Sequence, residues 1–207
     1  MSGVRSSHPA PFISNNMKRE NWFVTPIWYD YAQFDFDAVA RKCLELRATS
    51  FPNRRLSNVG GWQSQDIDLN AYDELKIVRS IIDQKTQEAS NDISPNVRLS
   101  LDNVWININE KGNRNGMHVH PVSALSGTIY ISVDDKTGRI VFTDRYSPIE
   151  HYPVELNESK LFYKNVFYTP KKGMIVIFPA WTHHEVEPNN SDLTRISISF
   201  NIKQLRD

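Results

Sequence analysis

Between Asn103 and Asn109 apolar and polar side chains alternate. Val104, Ile106 and Ile108 fall on one face of an extended chain, and Asn103, Trp105, Asn107 and Asn109 fall on the other. The same period returns near the C-terminus, where Ile196, Ile198 and Phe200 alternate with Arg195, Ser197 and Ser199. A chain patterned this way builds sheets with two chemically distinct faces. Leu125 to Val133, Arg139 to Thr143, Lys160 to Tyr168, Gly173 to Phe178 and Thr194 to Ile202 read as strands of the same half.

The first half is different. Asn21 to Tyr31 is aromatic and β-branched and reads as a strand, with Pro26 arguing for an edge or a bulge. Asp35 to Arg47 carries Phe36, Val39, Ala40, Cys43, Leu44 and Leu46, the spacing of a helix packed on one side. Phe51 to Leu69 is polar, contains Gly60, Gly61 and Trp62, and reads as a long loop of the kind that is often functional. A second helix is expected over about Tyr72 to Ala89, where Leu75, Val78, Ile81 and Ile82 recur at three and four, and Pro95 closes that region. Helices first and short strands afterwards predict an α+β fold, its β part a sandwich or jelly roll with the helices buttressing one face. Residues 1–19 read as a mobile N-terminal tail that includes a solvated His8, and residues 20–207 as a single domain.

Lysine plus arginine and aspartate plus glutamate both number 24, so net charge gives no pointer to nucleic acid or to an anionic membrane as partner. No apolar run approaches the roughly 20 residues that span a bilayer, and the N-terminus lacks the apolar core of a signal peptide. The one cysteine, Cys43, excludes an intrachain disulfide and argues against a cysteine-built zinc site. It reads as a buried apolar thiol, which suits a reducing, cytoplasmic setting. Oligomeric state is left open.

The candidate chemistry lies in three places. His118 and His120 stand in Met117-His118-Val119-His120-Pro121. On an extended backbone residues two apart point the same way, so both imidazoles can reach one ion. Taken alone, His-x-His fits a surface turn with two unrelated histidines equally well. Gly112, Asn113, Asn115 and Gly116 before it read as a loop leading in. His183 and His184 follow a buried strand that ends at Pro179. Being adjacent, they face opposite ways, so at most one joins the same ion. Arg195 shares a face with Ser197 and Ser199, and if that face is interior the guanidinium requires an anion, for which a carboxylate suits its planar fork. An outward, solvated row is the alternative. Two histidines one residue apart, a distant third and an arginine beyond suggest a non-haem iron site with an anionic co-substrate.

Together these segments resemble the iron(II)- and 2-oxoglutarate-dependent dioxygenases, and most of all a small bacterial and phage branch of them. The resemblance is carried by Trp105-Ile106-Asn107, His118-Val119-His120-Pro121 and Ser126-Gly127-Thr128-Ile129-Tyr130. It continues through Phe178-Pro179, His184-Glu185-Val186-Glu187-Pro188 and Arg195-Ile196-Ser197-Ile198-Ser199-Phe200-Asn201. It covers roughly Val97 to Ile202. It implies a double-stranded β-helix, that is a jelly-roll barrel, with Fe(II) and 2-oxoglutarate as cofactors and hydroxylation of a small-molecule or peptide substrate.

Carried over by motif, His118 takes the first metal position and His184 the distal one. His120 stands where most of the wider superfamily has a carboxylate, so the resemblance implies either a three-histidine site or a water in the third position. Arg195 matches the residue that binds the distal carboxylate of 2-oxoglutarate. Ser197, Tyr130 and Asn107 are the further co-substrate candidates. Two other functions are kept beside the hydroxylase: a non-catalytic, cupin-like metal-binding barrel, and a three-histidine dioxygenase that does not use 2-oxoglutarate. Trp62, Trp105 and Trp181 are candidates to line a pocket, although aromatic residues more often pack the core, and His151 reads as a loop residue.

Overall fold

Eleven strands are found among the described residues, and they form two antiparallel sheets. The computed structural model describes residues 24–49, 53–145 and 163–205. The expected tail, His8 and His151 lie outside the described residues, as do the first residues of two expected strands. The strands are β1 (Trp28–Tyr31), β2 (Asn58–Val59), β3 (Trp62–Gln63), β4 (Leu99–Asn109), β5 (Arg114–His118) and β6 (Leu125–Ser132). Then come β7 (Ile140–Thr143), β8 (Asn165–Tyr168), β9 (Met174–Pro179), β10 (His183–Val186) and β11 (Arg195–Gln204). Six form one sheet in the order β1-β9-β6-β11-β4-β3, and five form the other in the order β2-β5-β10-β7-β8. This is the expected α+β jelly roll.

Two helices precede most of the strands, α1 (Phe36–Thr49) and α2 (Asp73–Ile93). Asp35 Oδ1 accepts the Ala38 amide at 2.9 Å and so caps the first turn of α1. Helix α2 runs one turn beyond its expected end at Ala89. Its last turn, Ser90-Asn91-Asp92-Ile93, carries little apolar signal, and the helix stops only at Ser94, the residue that Pro95 bars from helical geometry.

The period-two pattern sorts the six-stranded sheet into two faces. Ile106, Ile108, Ile129, Ile131, Ile175, Ile177, Ile196 and Ile198 join Val39, Cys43, Leu75, Val78 and Ile82 in one core between sheet and helices. Fully burying one such aliphatic side chain contributes about 1.5–3 kcal/mol. Cys43 is buried there, and burial pushes its thiol up to about 12, so it is an inert apolar group. The opposite face carries Tyr130, Met174, Val176 and Phe178, which pack with Ile140 and Phe142 of the five-stranded sheet.

Pro26 precedes an edge strand as expected, since β1 pairs only with β9. The expected loop of 51–69 holds β2 and β3 instead, one at the edge of each sheet, joined by a turn at Gly60-Gly61. The stretch read as a loop before His118 is mostly strand. Arg-Asn-Gly-Met-His has no β-branched residue, and pairing with β2 and β10 makes it extended. No helix among the described residues is long and apolar enough to cross a membrane.

One cross-strand pair explains two of the sequence motifs together. Phe200 lies opposite Gly127, and Asn201 opposite Ser126, whose hydroxyl is 2.7 Å from Asn201 Oδ1. A Cβ on residue 127 would sit 2.4 Å from Phe200 Cζ and 2.7 Å from the Val176 carbonyl. Gly127→Ala is therefore expected to destabilise the protein by about 2 kcal/mol, seen as a fall in Tm of roughly 4–8 °C for a chain of this size. Adding Phe200→Leu should recover part of the loss, and an unchanged Tm for Gly127→Ala would contradict this packing.

Candidate metal centre and adjoining cavity

The imidazoles of His118, His120 and His184 converge between the two sheets. His118 ends β5, and His184 lies directly opposite it on β10. His120 follows two residues later, its amide tied to the Ala180 carbonyl at 2.8 Å. Ring centroids are 4.2 Å apart for His118 and His184, 5.0 Å for His118 and His120, and 5.1 Å for His120 and His184. One nitrogen from each ring lies within 4.8 Å of the other two. His183, adjacent to His184, is not in the group, as its opposite facing requires.

Hydrogen bonds aim the rings. His118 Nδ1 lies 2.7 Å from the Gly116 carbonyl, and His184 Nδ1 lies 2.9 Å from the Thr182 carbonyl. A carbonyl only accepts, so both Nδ1 atoms carry the proton and both Nε2 atoms present lone pairs. His120 Nε2 is 3.3 Å from His184 Nε2. Neighbouring ligand nitrogens on one ion, each about 2.1 Å from it, stand about 3 Å apart, so the spacing fits two ligands of a shared metal. A direct N–H···N bond from His120 is the other arrangement this distance allows. Burial holds all three rings below the ordinary histidine range. Desolvation is the largest cause throughout; it takes His120 down to about 4, and the neighbouring His118 adds to the shift in His120 and in His184. Neutral imidazoles are what a cation needs.

Beside the rings lies a small cavity of about 40 Å³. Trp105, Phe178, Ile140 and Val186 give it apolar walls, and no aspartate or glutamate is among the described residues that line it. Trp62 packs in the core instead, and Trp181 is 61% exposed on the turn after β9, so Trp105 alone of the three candidate tryptophans lines the cavity.

Arg195, Ser197, Tyr130 and Asn107 all line it. Ser197 faces Asn107 across one ladder and Tyr130 across the other. Arg195 is 1% exposed. Its Nη1 donates to the carbonyls of Thr137 and Glu187, the latter at 3.0 Å, while its Nη2 is buried without a partner among the described residues. The Tyr130 hydroxyl is likewise buried and unbonded, and burial raises its pKa to about 12 against the opposing effect of Arg195. The free Nη2 of a buried guanidinium and an unbonded buried phenol in one cavity both supply donors, and an anion would satisfy both.

Asn107 differs in polarity. Thr128 Oγ1 donates to the Ile198 carbonyl at 3.4 Å, Ser199 Oγ donates to Thr128 Oγ1 at 3.1 Å, and Asn107 Nδ2 donates to Ser199 Oγ at 3.0 Å. The carbonyl at the end of this relay can only accept, which fixes every donor in it. Asn107 Oδ1 is left as a buried, unbonded acceptor.

Sequence reasoning missed the two backbone carbonyls that hold Arg195, which carry no residue signature. It also missed Gly138, where an added Cβ would stand 3.0 Å from Arg195 Nη1 and which lies outside every motif.

Residues 103–201 match a family model described as "Putative 2OG-Fe(II) oxygenase". No curated protein matches the sequence significantly. Among solved structures, the chain is similar to a Pseudomonas putida prolyl-4-hydroxylase, with a TM-score of 0.63 and 13% identity over 87% of this chain and 93% of that one. It is similar to a prolyl hydroxylase from Trichoplax adhaerens, solved with a hypoxia inducible factor oxygen degradation domain peptide fragment (TM-score 0.62, 16% identity, 86% and 83% covered). It is also similar to HygX from Streptomyces hygroscopicus, solved with nickel and 2-oxoglutarate bound (TM-score 0.57, 12% identity, 86% and 83% covered). At these identities the likeness is one of fold.

The buried neutral rings make metal-free stability depend on pH. Burial sets the folded-state pKa of His120 at about 4, below its ordinary 6.5, so the unfolded chain takes up the proton first. Its contribution is therefore complete above pH 6.5 and is lost as pH falls from 6.5 towards 4. In urea unfolding with chelator present, His120→Gln should lose less stability across that window than the parent protein. Equal losses would place His120 in water rather than among the buried rings.

Proposed function

We propose, on the match of residues 103–201 to the 2OG-Fe(II) oxygenase family model, that the chain is an Fe(II)- and 2-oxoglutarate-dependent dioxygenase that hydroxylates a small-molecule or peptide substrate. The observation that carries the co-substrate is Arg195, a fully buried guanidinium with a free Nη2 in the cavity that the histidines border. In this reading His118, His120 and His184 hold iron(II) through their Nε2 atoms. Iron(II) with 2-oxoglutarate and oxygen supplies the oxidising power that couples decarboxylation of the co-substrate to hydroxylation of a C–H bond.

The chain's own residues bind and orient. The fork of Arg195 takes the distal carboxylate of 2-oxoglutarate, with Ser197 and the Tyr130 hydroxyl as further donors. Tyr130 keeps its proton at all working pH values, its pKa being raised to about 12, so it acts as a donor and never as a base. Phe178, Ile140 and Val186 exclude water from the clamp. The oxygens of 2-oxoglutarate are acceptors, so the free Oδ1 of Asn107 suits an O–H or N–H of the substrate better than the co-substrate. Asn107 therefore moves, in this reading, from the co-substrate to the substrate side of the cavity. The protein is proposed to work in the cytoplasm, where the lone thiol of Cys43 stays reduced.

A metal-binding barrel without turnover accounts for the imidazoles, as does a three-histidine dioxygenase that uses no 2-oxoglutarate. Neither gives the buried guanidinium an anion.

Anaerobic titration with ferrous iron and 2-oxoglutarate is expected to produce the weak visible charge-transfer band of the chelate, and succinate is expected to appear once oxygen is admitted. Arg195→Ala should weaken 2-oxoglutarate binding by at least about 30-fold, the equivalent of about 2 kcal/mol for a desolvated charge pair. Absence of the band in the parent protein would overturn the assignment.

A further inference from the structure

Arg195 reaches its place only because two backbone carbonyls meet on its Nη1, one from Thr137 and one from Glu187. Those carbonyls belong to segments that run antiparallel beyond the ladder of β7 and β10, where Ile140 pairs with Val186. The next pair outward is Arg139 and Glu187. The Glu187 amide donates to the Arg139 carbonyl at 2.9 Å. In return the Glu187 carboxylate accepts three bonds from Arg139: from the backbone amide at 3.0 Å, from Nε at 2.8 Å and from Nη2 at 2.6 Å. The Arg139 guanidinium also lies 4.1 Å from the centre of the Phe167 ring.

Gly138 sits between the two residues that grip from this side, Thr137 and Arg139. Its φ is +83°, and a Cβ there would stand 2.5 Å from the Glu187 carbonyl, 2.6 Å from the Pro188 carbonyl and 3.0 Å from Arg195 Nη1. The approach that brings both carbonyls to the arginine is thus open only to glycine.

The geometry points to Arg139, Glu187 and Gly138 as a clip, outside the cavity, that fixes the Arg195 guanidinium with Nη1 bound and Nη2 free for the co-substrate. This rests on the assignment of Arg195 to 2-oxoglutarate. Arg139 and Glu187 are positioning residues, since neither lines the cavity. A bidentate arginine–carboxylate pair sets direction as well as distance, which is what aiming a second guanidinium requires. Glu187 lies within the segment His184-Glu185-Val186-Glu187-Pro188, and residue 138 lies outside the segments that carry the resemblance.

The test compares the full-length parent with Arg139→Gln, Arg139→Lys, Gly138→Ala and the exchanged pair Arg139→Glu with Glu187→Arg. Three quantities are read for each: affinity for ferrous iron alone, KM for 2-oxoglutarate in succinate formation, and kcat. Arg139→Gln is expected to raise KM for 2-oxoglutarate roughly 5- to 10-fold, with kcat within about twofold and iron affinity unchanged, as for lost ground-state binding. Arg139→Lys should fall between, because it keeps the charge and loses the fork, and the exchanged pair should recover most of the affinity. Gly138→Ala should show the same split more strongly. If it fails to fold, Arg139→Gln and the exchanged pair decide. A parent protein that forms the iron–2-oxoglutarate chelate while Arg139→Gln keeps its KM overturns the clip alone. A parent that forms no chelate overturns the functional assignment, and the clip with it.

Discussion

In the five-stranded sheet His184 lies directly opposite His118, and that antiparallel register leaves both imidazoles on the inner face with their centroids 4.2 Å apart. A slip of one residue in either strand would turn one ring outward, because side chains alternate with a period of two. The slip is opposed from both sides. β10 is also paired with β7 over His183 to Val186, and β5 with β2 over Arg114 and Asn115. His120 is then brought in from beyond the strand by a single backbone bond to Ala180. The histidine cluster is thus a property of strand pairing, and the rings of His118 and His184 are aimed by carbonyls of the same chain two residues back.

The six-stranded sheet supplies the other half of the site by keeping two kinds of face apart. Its isoleucines pack under the helices, and this anchors the sheet through apolar burial. Its polar row faces the cavity, where burial would be expensive without partners. Part of that row is self-sufficient, as in the relay from Asn107 through Ser199 and Thr128 to the Ile198 carbonyl. Part of it is unfinished: Arg195 Nη2, the Tyr130 hydroxyl and Asn107 Oδ1 all lack partners among the described residues. The unfinished groups line one cavity, and they divide by polarity into donors that suit a dicarboxylate and an acceptor that suits a substrate O–H or N–H.

Much of this was legible because period-two patterning survives in the sequence. The alternation of Ile196, Ile198 and Phe200 with Arg195, Ser197 and Ser199 assigned faces correctly, and so did that of Val104, Ile106 and Ile108 with Trp105 and Asn107. β5 was hidden because Arg114-Asn115-Gly116-Met117-His118 has neither alternation nor β-branching, and only its two neighbours make it a strand. β2 and β3 were hidden for a similar reason, being two-residue edges inside a polar stretch. The end of α2 was misjudged because its last turn is polar. The carbonyls that grip Arg195 could not be read at all, since a backbone group has no residue type and its position follows from the meeting of remote segments.

On this reading three imidazoles share one ion. The direct measurement is a crystal structure of the protein loaded anaerobically with ferrous iron, supported by X-ray absorption at the iron edge. One iron is expected, bound by the Nε2 atoms of His118, His120 and His184, each at about 2.1 Å. An ion held by His118 and His184 with His120 turned away, a direct His120–His184 hydrogen bond with no ion between the rings, or an ion bound elsewhere would contradict it.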